Sequence, residues 1–245
     1  MSSKTNKLKK VAILLNSIFL IVIIIFTPLA YYGFNLNFYN SLYENNGVFS
    51  VLDRDDVLNL TKNLFNFFRY RETPENNLSK SSVRYANKII SSVAFFKPEE
   101  INHLDDVRKL LYKIFILYYL SIITVILLTI LLIEKDIFKF IKNIGYIFTA
   151  SSSAVLFIMA ALFFFGKKNF WGLFENFHLM FFPQGNYIFS QDSLIITLFP
   201  FGFFGDFFIK LVVCSLALSI AVLILGIICL NISKIKREVF YERHH

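Results

Sequence analysis

The sequence predicts an all-α membrane protein with four transmembrane helices, a small helical extracytoplasmic domain and an aromatic-rich outer loop at the membrane interface. Hydrophobic residues make up 56% of the 245-residue chain, and 31 residues are phenylalanine. A soluble domain of this length has too little interior to bury that much apolar surface. Four windows carry no charged side chain, and each has the about twenty residues that an α-helix needs to cross roughly 30 Å of hydrocarbon. These windows are residues 11–32, 114–133, 144–165 and 211–230.

The first window follows a basic leader, residues 1–10, in an order that is also typical of a cleaved signal peptide. Its apolar core is longer than the ~7–15 residues of such a peptide. We therefore expect an uncleaved membrane anchor. All four windows are too long and unbroken for the strands of a membrane β-barrel, so helices are expected throughout.

Lysine and arginine predict how the helices are oriented. They cluster in the leader, in residues 134–143 between the second and third windows, and in the tail, residues 231–245. These segments share one side of a four-helix topology, and positive charge marks the cytoplasmic side. We expect both termini in the cytoplasm, and the net charge of +8 mostly reflects this topology. No nucleic-acid partner is expected, because no basic groove motif accompanies the charge. His244 and His245 resemble the remnant of a purification tag.

The first outer segment, residues 33–113, is predicted to be a small helical domain. The stretch SVLDRDDVLNLTKNLFNFFRY predicts an amphipathic helix with Ser50 as its cap and acidic residues in its first turn. Five apolar residues at helical spacing would share its buried face: Val57, Leu60, Leu64, Phe67 and Phe68. A loop rich in asparagine and serine, containing Thr73-Pro74, is expected to follow.

A second helix is predicted to begin near Pro98 and to continue into the second window. Glu100 lies one turn before His103, and Asp106 lies one turn after it. Carboxylates beside an imidazole raise its pKa and hold it in one tautomer. A histidine on a solvated helix gives the same pattern, so this stretch alone leaves the structural and the functional interpretations open.

The second outer segment, residues 166–210, is rich in phenylalanine but is interrupted by polar residues. Its first part is expected to be an amphipathic helix at the outer membrane interface, with Trp171 among the headgroups. Glu175 and His178 lie three residues apart on one face of that helix. Two internal histidines near the outer surface suggest a joint site. The alternative is that the aromatic residues only form a belt at the membrane interface and that His178 is a polar residue within this belt.

Three blocks in this order resemble the lipoprotein intramolecular transacylase family. They are Glu100-x-x-His103-Leu-x-Asp106-Val-x-Lys109, Phe177-His178-x-x-Phe181-Phe182, and Ser193-Leu-Ile followed by Leu198-Phe199-Pro200. The resemblance covers nearly the whole chain, including the four-helix layout. A tryptophan is expected near position 187, where this chain has Tyr187. Tyrosine can also serve as an interfacial aromatic residue.

The resemblance implies an acyltransferase of the bacterial cell membrane with its site at the extracytoplasmic face. Members move an acyl chain from the sn-2 ester of the diacylglyceryl group to the α-amine of the N-terminal cysteine of the same lipoprotein. The essential histidines are then His103 and His178. The implied partners are the diacylglyceryl lipoprotein and membrane lipids, and no cofactor or metal is expected. We expect Glu100, Asp106 and Glu175 to support the site, and four aromatic residues to line the substrate: Phe177, Phe181, Phe182 and Tyr187.

This chemistry suits two imidazoles. One proton must leave the amine, an oxyanion needs a donor, and the departing glycerol oxygen needs a proton. We expect His103 to be the general base, oriented by Glu100 or Asp106, and His178 to assist the oxyanion or the leaving group, although the division can be reversed. Amine and ester belong to one substrate, so no covalent acyl-enzyme is required.

Other chemistries are less well supported by the sequence. The histidines and nearby carboxylates lack a metal-ligand spacing such as HExxH. Cys214 and Cys229 lie roughly 22 Å apart along one helix, too far for a disulfide, and the serines at 151–153 suit close helix packing. The alternative function is a non-enzymatic membrane sensor or assembly factor that binds a partner through its outer domain. A transporter is less well supported, because no ionisable residue lies at mid-depth in windows one, two or four.

Overall fold

The computed structural model describes residues 2–70, 83–85, 88–90, 96–185, 187–191 and 193–242. Its helices are α1 (Ser2–Tyr32), α2 (Leu36–Asn45), α3 (Arg54–Phe68), α4 (Pro98–Leu131), α5 (Ile137–Phe181), α6 (Leu194–Leu198) and α7 (Phe201–Glu242), with a short 3₁₀-helix at Val48–Ser50. Four of them, α1, α4, α5 and α7, are long and apolar enough to cross a membrane. The predicted all-α membrane fold is confirmed, and the chain is a multi-pass membrane protein.

A short antiparallel hairpin was not predicted. Strands β1 (Val83–Tyr85) and β2 (Lys88–Ile90) pair so that Val83 faces Ile90 and Tyr85 faces Lys88. The sequence predicts a loop between the two outer helices, and the hairpin lies within that interval. The Thr73-Pro74 part of the predicted loop lies outside the described residues.

The chain folds as two compact units. The first, here called the span unit, comprises Met1–Leu29, Ile116–Phe164 and Val212–His245. The second comprises Ala30–Phe115 and Phe165–Leu211 and contains both internal histidines, so we call it the histidine unit.

Close backbone approach between α5 and α7 characterises the span unit. A Cβ atom added to Gly226 would lie 2.7 Å from Thr149 Oγ1 and 2.9 Å from the Thr149 backbone nitrogen. Ser152 is fully buried, and its hydroxyl donates a hydrogen bond to the Phe148 carbonyl at 2.5 Å. Small residues that let helix backbones approach are typical of helix packing in membranes. The buried Ser151 and Ser152 fit the packing role predicted for the serines of α5, whereas Ser153 is exposed.

The core of the histidine unit is built on the apolar face of α3. Val57, Leu60, Leu64 and Phe67 are buried there, and Phe68 is partly buried against the same core. This face agrees with the predicted amphipathic helix.

The predicted cap of this helix is wrong. Asp53 is the N-cap, and its Oδ1 accepts hydrogen bonds from the backbone N–H groups of Asp55 and Asp56 at 3.1 and 3.2 Å. Ser50 ends the preceding 3₁₀-helix, where its hydroxyl donates to the Gly47 carbonyl at 2.6 Å. A carboxylate satisfies two unpaired N–H groups at once and opposes the positive end of the helix dipole, which favours Asp53.

Two features of the long helices position the histidines. Helix α4 is continuous from Pro98 to Leu131, as the sequence predicted, so His103 lies in its second turn. Helix α5 is interrupted at Asn169, where φ is −153° and ψ is 73°. The Asn169 side chain accepts a hydrogen bond from the Gly172 N–H at 2.9 Å and so caps a new helical stretch that carries His178. The first part of the outer segment at 166–210, which was predicted to be a helix, is therefore helical up to Phe181.

Candidate functional site

His103 is buried in the histidine unit, with 7% of its surface exposed. The acidic first turn of α4 favours the helix start there, and the neighbouring Leu104 packs into the hydrophobic core. Two aromatic rings meet the imidazole edge-on, Phe182 at 4.9 Å and Phe189 at 5.5 Å between ring centroids. Core packing of α4 thus turns His103 toward the aromatic connection that follows α5.

His178 is also buried, with 8% of its surface exposed. Its ring centroid lies 4.1 Å from that of Phe174 and 4.9 Å from that of Tyr187. The residue follows the break at Asn169 and lies beyond the apolar window at 144–165. Burial lowers the pKa of His178 from its ordinary value of 6.5, because the apolar surroundings disfavour the charged ring, and the Phe174 carbonyl opposes this effect in part.

A backbone hydrogen bond selects the tautomer of neutral His178. Its Nδ1 lies 2.7 Å from the Phe174 carbonyl oxygen. A carbonyl oxygen only accepts hydrogen bonds, so Nδ1 must carry the proton. In the neutral ring the lone pair is then on Nε2, which is the nitrogen able to accept a proton from a substrate.

The two imidazoles lie together, as the sequence led us to expect. Their ring centroids are 6.0 Å apart and their planes are inclined by only 21°. Phe182 contacts both rings, at 4.9 Å from His103 and 5.6 Å from His178, and is itself buried. Two titratable rings from separate segments therefore share one largely apolar environment.

Glu100 differs from the expected arrangement. It is only 1% exposed, and its carboxylate accepts hydrogen bonds from the Ser193 hydroxyl at 2.6 Å and from the backbone N–H groups of Lys97 at 2.6 Å and Ile195 at 3.2 Å. We expected either Glu100 or Asp106 to orient His103. Its bonds instead join α4 to the start of α6, because three donors converge on the carboxylate and satisfy it there.

Of the other two predicted carboxylates, Asp106 is half-buried and Glu175 is exposed. Asp106 Oδ2 accepts a hydrogen bond from Gln184 Nε2 at 2.8 Å, so it also binds the connection after α5. Glu175 is exposed, and within the described part of the chain no hydrogen bond or ion pair joins it to His178. The backbone carbonyl of Phe174, one helical turn before His178, bonds Nδ1 where we expected a carboxylate neighbour.

The predicted substrate-lining aromatics separate into two groups. Phe177 and Phe181 are exposed and contact each other at 4.8 Å, whereas Phe182 is buried and Tyr187 is half-buried against His178. Sequence reasoning did not single out Phe174, Phe189 or the bonding role of Ser193. The i, i+4 spacing of Phe174 and His178 was a usable signal, but nothing local indicated Phe189.

Among the described residues, no group of three or more histidine, cysteine, aspartate or glutamate side chains is placed to hold a metal ion.

Four long apolar helices and a buried histidine pair define the class as a multi-pass membrane protein with a candidate acid–base site. The chain belongs to the lipoprotein intramolecular transacylase Lit family, whose sequence model matches residues 12–204. It is therefore a membrane transacylase that acts on lipoproteins, and the family assignment favours an enzyme over a non-enzymatic sensor.

Solved structures of one protein show the same fold. The membrane-integral lipoprotein intramolecular transacylase Lit from Bacillus cereus superposes with a TM-score of 0.74 at 17% identity, covering 94% of this chain and 99% of that chain. A histidine-to-arginine variant and a histidine-to-alanine variant of that protein match with TM-scores of 0.68 and 0.67, at 16% and 17% identity, each over 94% of this chain and over 96% and 97% of theirs. No curated protein sequence matches the chain.

Proposed function

We propose that the chain moves an acyl group within one lipoprotein, from the sn-2 ester of the diacylglyceryl group to the α-amine of the N-terminal cysteine. The product is an N-acylated lipoprotein that keeps a single acyl chain on the glyceryl group. The observation that carries this proposal is the buried pair of imidazoles, whose centroids lie 6.0 Å apart among aromatic rings. An apolar setting of this kind suits acyl chains.

His178 is the proton carrier in this proposal. The α-amine has a pKa near 8 when free, so a proton must leave its nitrogen for the amide to form. The Phe174 carbonyl directs the lone pair of neutral His178 to Nε2, and burial favours that neutral form. The amine attacks the ester carbonyl, and the new C–N bond makes the nitrogen acidic. Its proton passes to His178 Nε2 and then to the glycerol oxygen as the C–O bond breaks.

His103 is the hydrogen-bond donor to the oxyanion of the tetrahedral intermediate. Removing one such donor from an oxyanion site typically costs a factor of about 10²–10³ in rate. With His178 as the proton carrier, each catalytic group returns to its starting state after one turnover. The sequence led us to expect the opposite roles, with His103 as the general base and His178 as the assisting group. The present assignment is supported by the tautomer of His178 rather than by any contact of His103.

Proximity supplies the rest of the rate enhancement. Nucleophile and ester belong to the same molecule, and well-oriented pairs of this kind reach effective molarities of about 10⁵–10⁸ M. For this part of the rate enhancement, the site needs only to hold the substrate in a conformation in which its amine and ester meet. No covalent acyl-enzyme is needed.

We also propose that the histidine unit faces the extracytoplasmic side and that both termini are cytoplasmic. Lysine and arginine concentrate in the leader, in residues 134–143 and in the tail. This is the distribution expected when those segments remain on the cytoplasmic side. The lipid-modified cysteine of a mature lipoprotein lies at the extracytoplasmic surface of the membrane, and the proposed site would lie at that same surface.

Mass spectrometry of lipoprotein N-termini tests this function. Lipoproteins from cells with and without the chain are digested, and the N-terminal lipopeptides are fragmented. We expect one acyl group to change position, from glycerol to the α-nitrogen, at constant total mass. His103→Ala and His178→Ala should each prevent this change while the protein still inserts into the membrane. N-acylation with an added third chain, or no change at all, would exclude the proposed reaction.

A further inference from the structure

Glu100 is a buried carboxylate that the proposed proton transfers do not use. It accepts three hydrogen bonds, from two backbone N–H groups and from the Ser193 hydroxyl. A carboxyl group that only accepts hydrogen bonds fits the ionised form. Burying such a charge is costly unless its oxygens are hydrogen-bonded. Two of these bonds, those from Ser193 and Ile195, therefore restrict where the start of α6 can lie relative to α4.

The carboxylate joins the two segments that surround His103. Glu100 lies one turn before His103 on α4. Ser193 and Ile195 lie at the start of α6, directly after the α5–α6 connection that supplies Phe182 and Phe189 to the His103 ring. A bond between Glu100 and Ser193 thus fixes the imidazole and its aromatic neighbours relative to each other.

We propose that Glu100 and Ser193 form a hydrogen-bonded clamp that sets the position of His103 against the aromatic rings of the α5–α6 connection, and that both are positioning residues for acyl transfer. This inference rests on the proposed function, because it gives His103 a part in the chemistry. Glu100 acts through Ser193 and the backbone of Ile195 rather than by touching the imidazole or the substrate.

A second hydrogen bond on the same connection provides a natural contrast. Gln184 Nε2 donates to Asp106 Oδ2 at 2.8 Å, one turn after His103, but this bond is exposed. Exposed hydrogen bonds compete with water and contribute little, whereas buried bonds to a charged acceptor are roughly twice as strong as neutral ones. The buried clamp, and not the exposed bond, should therefore determine the geometry.

Loosening the clamp should affect catalysis more than binding. A displacement of about 1 Å at a reacting group can cost 10²-fold in rate. Ser193→Ala keeps the bonds from Lys97 and Ile195, so only part of the restraint is lost. We expect its kcat to fall about tenfold and its KM to stay within about twofold of the wild type.

The test uses the full-length purified chain with a synthetic diacylglyceryl lipopeptide. Four variants are compared: Ser193→Ala, Glu100→Gln, their combination, and Gln184→Ala as the matched control. Gln184→Ala should retain kcat within about twofold. Because Glu100 and Ser193 form one clamp, the combined variant should be no more than about threefold slower than Glu100→Gln alone.

A Ser193→Ala variant with unchanged kcat and a lower Tm would show that the clamp only stabilises the fold, and would overturn the proposal. Equal losses in Gln184→Ala and Ser193→Ala would overturn it too. If Glu100→Gln does not fold, the comparison of kcat between Ser193→Ala and Gln184→Ala is sufficient to test the proposal. His103→Ala is the reference: full activity there overturns the proposed function and the clamp together. An inactive His103→Ala beside a fully active Ser193→Ala overturns the clamp only.

Discussion

Replacing His178 by asparagine and by glutamine separates the two roles that an imidazole can have at this position. Asparagine places an amide nitrogen near the position of Nδ1 and can keep the bond to the Phe174 carbonyl, which measures 2.7 Å. Glutamine places its amide nitrogen near the position of Nε2 and can donate from there. Neither amide accepts a proton at neutral pH.

The proposed role as proton carrier predicts that both variants are equally inactive. General acid–base catalysis contributes about 10²–10⁴ in rate, or about 2.7–5.4 kcal/mol at 1.36 kcal/mol per factor of ten. Stability should behave differently. The asparagine variant should unfold at a higher temperature than His178→Ala, because a hydrogen bond of this kind contributes about 1 kcal/mol.

The assay is single turnover of the diacylglyceryl lipopeptide by purified enzyme, with fragment mass spectrometry to locate the acyl chain. Tm is measured on the same preparations. A glutamine variant at least tenfold faster than the asparagine variant would show that His178 donates from Nε2, and the assignment as proton carrier would then be wrong. An asparagine variant within tenfold of the wild type would have the same consequence.

Three further outcomes follow from the structure. Burial lowers the pKa of His178 below its ordinary 6.5, so the proton-accepting ring persists into mild acid. The His178 imidazole, followed by NMR, should therefore titrate below pH 6.5, and titration above that value contradicts the assignment. Gly226→Ala should lower the free energy of unfolding by about 1–3 kcal/mol, since the new methyl group would lie 2.7 Å from the Thr149 hydroxyl on α5. Gly205→Ala is the control: its methyl group would make ordinary contacts at 3.6 Å and should not lower the Tm measured in detergent. Asp53→Ala should cost about 1 kcal/mol on thermal unfolding, and Ser50→Ala should cost clearly less; the reverse order would restore Ser50 as the cap.

The sequence predicted those parts of the fold that depend on composition over many residues. Charge-free windows located the four long helices, because hydrocarbon tolerates few other structures. The apolar spacing around Leu60 predicted the buried face of α3 for a similar reason. The cap of that helix was wrong, since Ser50 and Asp53 are both good caps and only the geometry decides between them.

The contacts of the site were harder to predict, because they join residues far apart in the chain. Spacing along one helix suggested that Glu100 would serve His103, but the hydroxyl that binds it is 93 positions further on. The partner of His178 is a main-chain oxygen, which leaves no mark in the pattern of side chains. The two histidines stood out in the sequence because imidazoles are rare in so apolar a chain, and the structure places their rings 6.0 Å apart.

The bond between His178 and the Phe174 carbonyl has a consequence for how the family can diverge. Every amino acid supplies the same oxygen to the backbone, so mutation at position 174 cannot delete the acceptor, provided that the helical turn persists. To keep this one bond, selection need preserve only the turn and the imidazole, whatever side chain occupies position 174. A fold retained at 17% identity is compatible with such an arrangement.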